Sequence, residues 1–377
     1  MKNKKNDDLT ILCPIKDRVE FTQRFVDYSI KNRCPFRIII SDGSYDSKSE
    51  DVLKKVDYQD IEIEYIRYQH DKDWAAYLRK MCKSLSLIQT TYTVLACDDD
   101  YLDYEALLIG VKFLKENKLY SSFAAEVVDF DVFGGYGDGV YGGIYISDNK
   151  RYCSGRYRTD QVVDGDNINE RLGRYADIWP YEYIHKTDTL KLIFQFAADL
   201  EINNYHHLIM IMRYITLIEG RVYFNDSISF LLRQDNTFNS QGDEMIRENL
   251  TYLHFLANED NMHKQEMILG KLKTYICNNY INNSFDLECI FQGNLVKHYR
   301  DVIKVGVEKN AKVTRLNYKI KSIFYIISVK MKVFYLYRRL RVIYLGLIKH
   351  DKIFDIPTLN LTFLKNVQSS IRNNNPR

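Results

Sequence analysis

Tyr92-Thr93-Val94-Leu95-Ala96-Cys97-Asp98-Asp99-Asp100 is an apolar run that stops abruptly at three carboxylates. Its shortness and its β-branched and aromatic residues read as a buried strand. Three adjacent acids at a strand's end repel one another and are costly to hold together unless water or a cation neutralises them. Hard divalent cations such as Mg²⁺ and Mn²⁺ take oxygen ligands, commonly one or two carboxylates plus the phosphates of a substrate. In an open α/β sheet, ligands bind beyond the carboxyl ends of the strands, which is where this triplet should fall. The plainer alternative is an acidic turn that helps cap a helix starting near Tyr104.

Upstream, Leu9-Thr10-Ile11-Leu12-Cys13-Pro14 reads as a strand running into Ile15-Lys16-Asp17-Arg18, followed by a helical pattern through Phe21, Phe25 and Tyr28. A second strand, Phe36-Arg37-Ile38-Ile39-Ile40, ends in Ser41-Asp42-Gly43-Ser44, and a third, Ile61 to Ile66, alternates with period two. Helical material from about Trp74 to Leu87 leads into the acid-bearing strand. Strand, helix, strand, helix, strand is the order of a parallel sheet with crossover helices. It brings Asp17, Asp42 and the triplet to one edge, forming a crevice of the kind that holds nucleotides.

Taken together, Thr-Ile-Leu-Cys-Pro-Ile-Lys-Asp-Arg, Ile-Ile-Ile-Ser-Asp-Gly-Ser and Val-Leu-Ala-Cys-Asp-Asp-Asp resemble the nucleotide-sugar domain of GT-A-fold glycosyltransferases. The family-2 type of bacterial surface-glycan enzymes is the nearest. The resemblance covers roughly residues 8 to 240 and rests on the order and spacing of three short motifs. It implies an α/β fold with a Rossmann-like, mostly parallel central sheet flanked by helices. It places Pro14, Lys16, Asp17 and Arg18 beside the sugar nucleotide and Asp42 against the nucleoside base. Asp98 and Asp100 become the metal ligands of an Asp-X-Asp motif, with Asp98 and Asp99 also facing the donor. The family's Arg-Asn-X-Gly before the metal strand is absent, leaving Arg79, Lys80 and Lys83 as basic replacements, of which Lys83 is assigned to the donor site. A tryptophan-containing acceptor helix near the domain's end is also missing. The implied cofactor is Mn²⁺ or Mg²⁺, and the implied donor a nucleotide sugar, UDP-linked by expectation.

At 377 residues the chain exceeds the usual size of one core. A catalytic domain over 1–240 and a helical C-terminal extension over 241–377 are expected. The seven cysteines form no Cys-X-X-Cys pair and several sit in apolar runs, which suits a reducing interior. The N-terminus lacks the apolar core of a signal peptide, and no uncharged run reaches the ~18 residues of a spanning helix. The net charge of +3 is unremarkable, but its distribution is not. From Lys309 through His350 there are eleven Lys or Arg and no acid, with Ile320, Ile323, Ile327, Met331 and Phe334 on one helical face. Such a segment binds anionic membrane surfaces, which points to a cytoplasmic protein peripheral on the inner face of the cell membrane. The competing reading docks it on the catalytic domain or on a second copy of the chain, as a homo-oligomer would. No nucleic-acid-binding fold is recognisable, and nucleic acid is not an expected partner.

Residues Asp131 to Gly143 hold six of the seventeen glycines. They read as a hairpin between two edge strands, or as a loop over the sugar with Tyr136 and Tyr141 stacking on a glycan. Sugar transfer needs a carboxylate to deprotonate the acceptor and positive charge to stabilise the leaving diphosphate. Related enzymes carry that acid at the start of a helix matching His206 to Ile218, which makes Glu201 and Asp199 the catalytic candidates, ahead of Asp177 and Glu182. Helix N-terminal charge would explain both equally well. Gly220 to Phe224 and Ile228 to Gln234 read as two short strands. Arg233 falls where related enzymes bring a basic group to the diphosphate. Past Ser240 the pattern is helical over Met245–Ala257, Met262–Asn278 and Leu287–Ile303.

The function that follows is a metal-dependent, inverting glycosyltransferase passing sugar from a nucleotide donor to a glycan or lipid-linked acceptor in bacterial surface polysaccharide synthesis. Two alternatives stand beside it. A nucleotidyltransferase acting on a sugar phosphate also presents acids to Mg²⁺, but wants a glycine-rich loop after its first strand, and Cys13 to Arg18 has no glycine. A non-enzymatic glycan-binding or scaffold protein would turn over no sugar nucleotide.

Overall fold

The structure, a computed structural model, describes residues 6–132, 144–146, 165–174, 178–234, 259–280 and a few isolated positions beyond. The segment 309–350, the helical pattern at 245–257 and nearly all of 287–303 lie outside the described residues, as do Asp177, Tyr136 and Tyr141.

Strands β1 (Asn6–Ile15), β2 (Phe36–Asp42), β3 (Ile63–Arg67) and β4 (Tyr92–Leu95) form in the predicted order. Between them run α1 (Val19–Lys31), α2 (Lys48–Leu53) and α3 (Trp74–Ser86). After β4 come β5 (Tyr101–Leu102), α4 (Tyr104–Glu116), β6 (Tyr120–Val132), β7 (Ile144–Ile146), α5 (Ile168–Leu172) and a 3-10 turn, Pro180–Glu182. The unit closes with β8 (Ile184–Lys186), α6 (Thr187–Asp199), α7 (Tyr205–Glu219) and β9 (Arg221–Gln234), and a further helix spans Glu259–Asn279.

All nine strands join one sheet in the order β3-β2-β1-β4-β8-β6-β9-β5, with β7 added on β6. The first four are parallel, while β8 enters antiparallel to β4 and β6 antiparallel to β8. The fold is therefore the expected α/β architecture, a mixed and mostly parallel sheet flanked by helices. Alternation sends Leu9, Ile11, Cys13 and Ile15 to one face with α1 and α4, and Leu12, Ile39 and Leu95 to the other with α3, α6 and α7. Burial on both faces is why these strands read as continuous apolar runs.

Val132 pairs with Ile144 and Phe130 with Ile146 on either side of the glycine-rich segment, whose residues 133–143 lie outside the described residues. The two strands expected at 220–224 and 228–234 are one strand, β9, whose register against β6 slips around Ala125 and Glu126. The helix Glu259–Asn279 buries Ile268, Leu272 and Ile276 in the core that also holds α7, so this part of the C-terminal region is packed against the α/β unit. No helix among the described residues is long and apolar enough to cross a membrane.

Candidate active site

The chain leaves β1 for β2 and β3 on one side, then returns to place β4 on the other side of β1. This reversal of strand order is the switch point where ligands of doubly wound sheets bind. Pairing of β1 with β4 stops at Leu12 and Leu95, apart from one further bond from Ala96 N–H to the Leu12 carbonyl. Two residues on, Pro14 has no N–H to continue the ladder on that side. The strands part there, and Lys16-Asp17-Arg18 faces Cys97-Asp98-Asp99-Asp100 across the gap.

Arg18 spans that gap. Its guanidinium lies 3.2 Å from Asp98 Oδ1 and 2.7 Å from Asp99 Oδ2. The Thr22 hydroxyl donates a 3.2 Å bond to the other oxygen of Asp98. The guanidinium sits 4.0 Å over the Phe21 ring, while Arg24 lies 4.9 Å from the same ring and 5.3 Å from Tyr101. Burial disfavours the charge on Arg18, but Asp98 and Asp99 more than offset this and raise its pKa. Asp98 is pushed up to about 7 by burial, with Arg18 opposing and Asp99 reinforcing the shift. The triplet does not cap α4: Asp103 does, accepting bonds from the N–H groups of Glu105 and Ala106.

Asp100 N–H bonds back to the Cys97 carbonyl, and this tight turn gathers Cys97, Asp99 and Asp100 with donor atoms all within 4.8 Å of one another. Burial raises the Cys97 thiol well above its ordinary range and the three acids add to that, and a soft sulfur donor is not what a hard cation selects. The remaining donors are carboxylate oxygens, a set that fits a hard cation. The metal pair expected from the Asp-X-Asp pattern was Asp98 and Asp100. The structure gathers Asp99 and Asp100 and turns Asp98 toward Arg18 and Thr22.

The neighbouring strand ends form the rest of the edge. Asp17 adopts φ 53, its N–H bonds to Ser44 Oγ at 2.8 Å, and its carboxylate accepts the Tyr45 N–H at 2.7 Å. Tyr45 itself is 78% exposed and meets His70 edge-on at 5.4 Å, which leaves an aromatic face beside the crevice. Asp42 is fully buried, and its carboxylate accepts bonds from the Ser44 N–H and the Tyr65 hydroxyl. That makes it a brace of the turn after β2, enclosed by protein where the resemblance put it against a base. Lys83 lies in the last turn of α3, whereas Lys80, a turn nearer the edge, reaches it. Lys80 pairs with Asp71 and donates a 3.1 Å bond to the Ile15 carbonyl, and Lys16 donates to the Asp71 carbonyl at 2.6 Å. A Cβ on Gly43 would land on the Asp71 carboxylate, so any larger residue there would displace the Asp71–Lys80 pair. The Asp71–Lys80 pair was not read from the sequence; nine residues of separation carry no periodic signal.

Asp199 ends α6 and accepts bonds from Lys271 at 3.0 Å and Gln195 at 2.7 Å, and hydrogen bonding to Lys271 lowers its pKa. Glu201 is exposed, in the connection to α7, with φ 51. Neither makes a described contact with the triplet. Glu182 is buried in the turn that packs against β4. Because Ile184 pairs with Val94, Glu182 stands two residues further toward the acid-bearing end. Burial lowers His206 and His207 to about 4, so both are uncharged at neutral pH. On the far side, Tyr101, the residue after the triplet, pairs with Leu232, the residue before Arg233.

Fold and edge chemistry together define a Rossmann-like α/β protein with an acid-lined crevice at its switch point. Neither a protein-family model nor a curated protein matches the sequence. Among solved structures, the chain is similar to Staphylococcus aureus TarS 1–349, with 12% identity, a TM-score of 0.40 and 73% of each chain covered. The same TarS segment in complex with UDP-GlcNAc gives 12% identity and a TM-score of 0.41, covering 73% of this chain and 74% of that one. The mannosyltransferase PcManGT from Pyrobaculum calidifontis, in complex with GDP-Man and Mn²⁺, gives 11% identity and a TM-score of 0.40, covering 79% and 82%. Likeness at this level transfers neither a residue's role nor a substrate to this chain.

Proposed function

We propose that the protein is a metal-dependent, inverting glycosyltransferase that moves a sugar from a UDP-sugar or related nucleotide-sugar donor to a glycan acceptor. The observation that carries this reading is the set of three buried acids at the switch point, two of them bridged by Arg18 from the turn between β1 and α1. A bound Mg²⁺ or Mn²⁺ would stabilise the charge on the departing diphosphate as a Lewis acid. Asp99 and Asp100 would hold it, while Asp17 and Ser44 shape the turn beneath the nucleoside and the Tyr45 ring offers a stacking face. Arg233 is assigned to the diphosphate because it follows Leu232, which pairs with the residue next to Asp100.

For the proton taken from the acceptor, Glu182 is preferred to Asp199 and Glu201, since it is a buried acid in the turn that packs against β4. A general base contributes roughly 10²–10⁴-fold to rate and little to donor affinity. Glu182→Gln should slow transfer by that factor, with Asp199→Asn and Glu201→Gln near wild type. An unslowed Glu182→Gln variant would remove Glu182 from this role. The basic segment 309–350 suits an acceptor carried on a lipid at an anionic membrane. Salt-sensitive sedimentation with anionic vesicles tests that, and failure to co-sediment at low salt contradicts it.

The donor class is tested by thermal stabilisation across a panel of UDP-, GDP-, dTDP- and CMP-sugars, with and without Mn²⁺. The proposal expects stabilisation by one nucleotide class that needs the cation. A cation-independent response to every nucleotide, or none at all, would count against it.

A further inference from the structure

We propose that Arg18 stands in for the divalent cation while the donor is absent, competing with it for the same carboxylates and passing to the donor's diphosphate when the cation loads. The inference rests on the glycosyltransferase reading of this site. Asp99 belongs to both arrangements: it accepts the Arg18 guanidinium at 2.7 Å and is one of the three residues whose donor atoms cluster within 4.8 Å. A doubly charged ion on that cluster would sit beside the guanidinium, and two cations at such a distance in a buried site repel strongly. The ion therefore binds weakly while Arg18 is in place.

The surroundings of Arg18 suit a side chain that moves. Its own side chain is 24% exposed, whereas those of Asp98 and Asp99 are 3% and 12% exposed, so the cation reaches the crevice while the acids stay below it. The Phe21 face beneath the guanidinium gives a contact that tolerates sliding, because cation–π attraction is broad compared with a hydrogen bond. Asp98 keeps its bond from Thr22 after Arg18 leaves. A diphosphate supplies the forked acceptor that a guanidinium prefers, and it also completes the oxygen shell of the metal. Donor and cation therefore load together, and Arg18 offsets part of the charge of the acidic edge when no substrate is bound.

The test is Mn²⁺ binding followed by the electron paramagnetic resonance of the free ion, in wild type, Arg18→Gln and Arg18→Lys, first with Mn²⁺ alone and then with UDP or GDP. Without nucleotide, Arg18→Gln should bind Mn²⁺ roughly tenfold or more tightly than wild type, with Arg18→Lys between them, because lysine keeps the charge but not the fork. With the nucleoside diphosphate the wild type should close most of that gap. Equal or weaker Mn²⁺ binding by a folded Arg18→Gln variant overturns the exchange while leaving the metal site standing. If that variant does not fold, Arg18→Lys decides: tighter than wild type supports the proposal, and equal or weaker overturns it. Absence of Mn²⁺ binding in every form, nucleotide included, removes the metal reading and this inference with it.

Discussion

Two ion pairs close the same edge of the sheet, and they are built for different ends. Lys80 and Asp71 are 2% and 5% exposed and pair one to one, and Lys80 donates its other bond to the Ile15 carbonyl. Arg18, by contrast, serves Asp98 and Asp99 together, with Asp100 alongside, and stays partly open to solvent. The first pair is balanced in charge and locked under the turns after β1 and β2. The second leaves more negative charge than Arg18 can neutralise. A sealed, balanced pair holds a fold, whereas an open and unbalanced one is positioned to receive a cation.

Breaking the sealed pair should hurt the fold most. Lys80→Met leaves Asp71 buried without its cation, and removing one partner of such a pair costs about 3–5 kcal/mol. Chemical denaturation should show that loss, and a midpoint within error of wild type would mean the pair is structurally idle. Arg18→Gln, on the open pair, should shift the midpoint far less. Asp42→Ala comes next, since it strips the acceptor from the Ser44 N–H and the Tyr65 hydroxyl at the same edge. A loss of about 1–3 kcal/mol of stability is expected, with the donor affinity of the folded fraction little changed. A large loss of affinity with unchanged stability would return Asp42 to the base-binding role that the motif suggested.

The smallest effect concerns pH. Burial raises Asp98 to about 7 from an ordinary value of 3.8, so between those values the folded protein binds more protons than the unfolded chain. The stability this contributes is fully present below the unfolded pKa and is lost as pH rises through about 7. The buried histidines act in the opposite direction over the lower part of this range, so the test is the difference between cation-free wild type and Asp98→Asn: the variant's melting temperature relative to wild type should rise from about pH 4 to about pH 7. A difference that does not change with pH would contradict it.

Sequence showed the parallel half of the sheet because β1, β2 and β4 are buried on both faces and so read as unbroken apolar runs. The antiparallel half was obscure for local reasons. Strand β8 has three residues, and its central His185 is a buried imidazole satisfied by Ser122 at 2.8 Å and the Pro180 carbonyl at 2.6 Å, a polar residue where pattern reading expects an apolar one. Helix α6 has Lys186 at its N-cap position and no side-chain cap, so no start signal marks it. The candidate site was legible where it lies on those apolar runs, at Arg18 and the triplet. Assignments that depended on the direction of a side chain, Lys83 against Lys80 and Asp98 against Asp99, needed the folded helix and turn. The placement of Asp199 depended on Lys271, a partner 72 residues away.

The most direct measurement is nucleotide release from a stabilising sugar nucleotide by wild type with Mn²⁺, by wild type in excess chelator, and by Asp100→Ala with Mn²⁺. An open pair that receives a cation predicts turnover in the first case only, with the variant melting at or above the wild-type temperature because one of three repelling acids is gone. Full turnover in chelator, or in the folded Asp100→Ala variant, would contradict the claim that this acidic edge holds a catalytic metal.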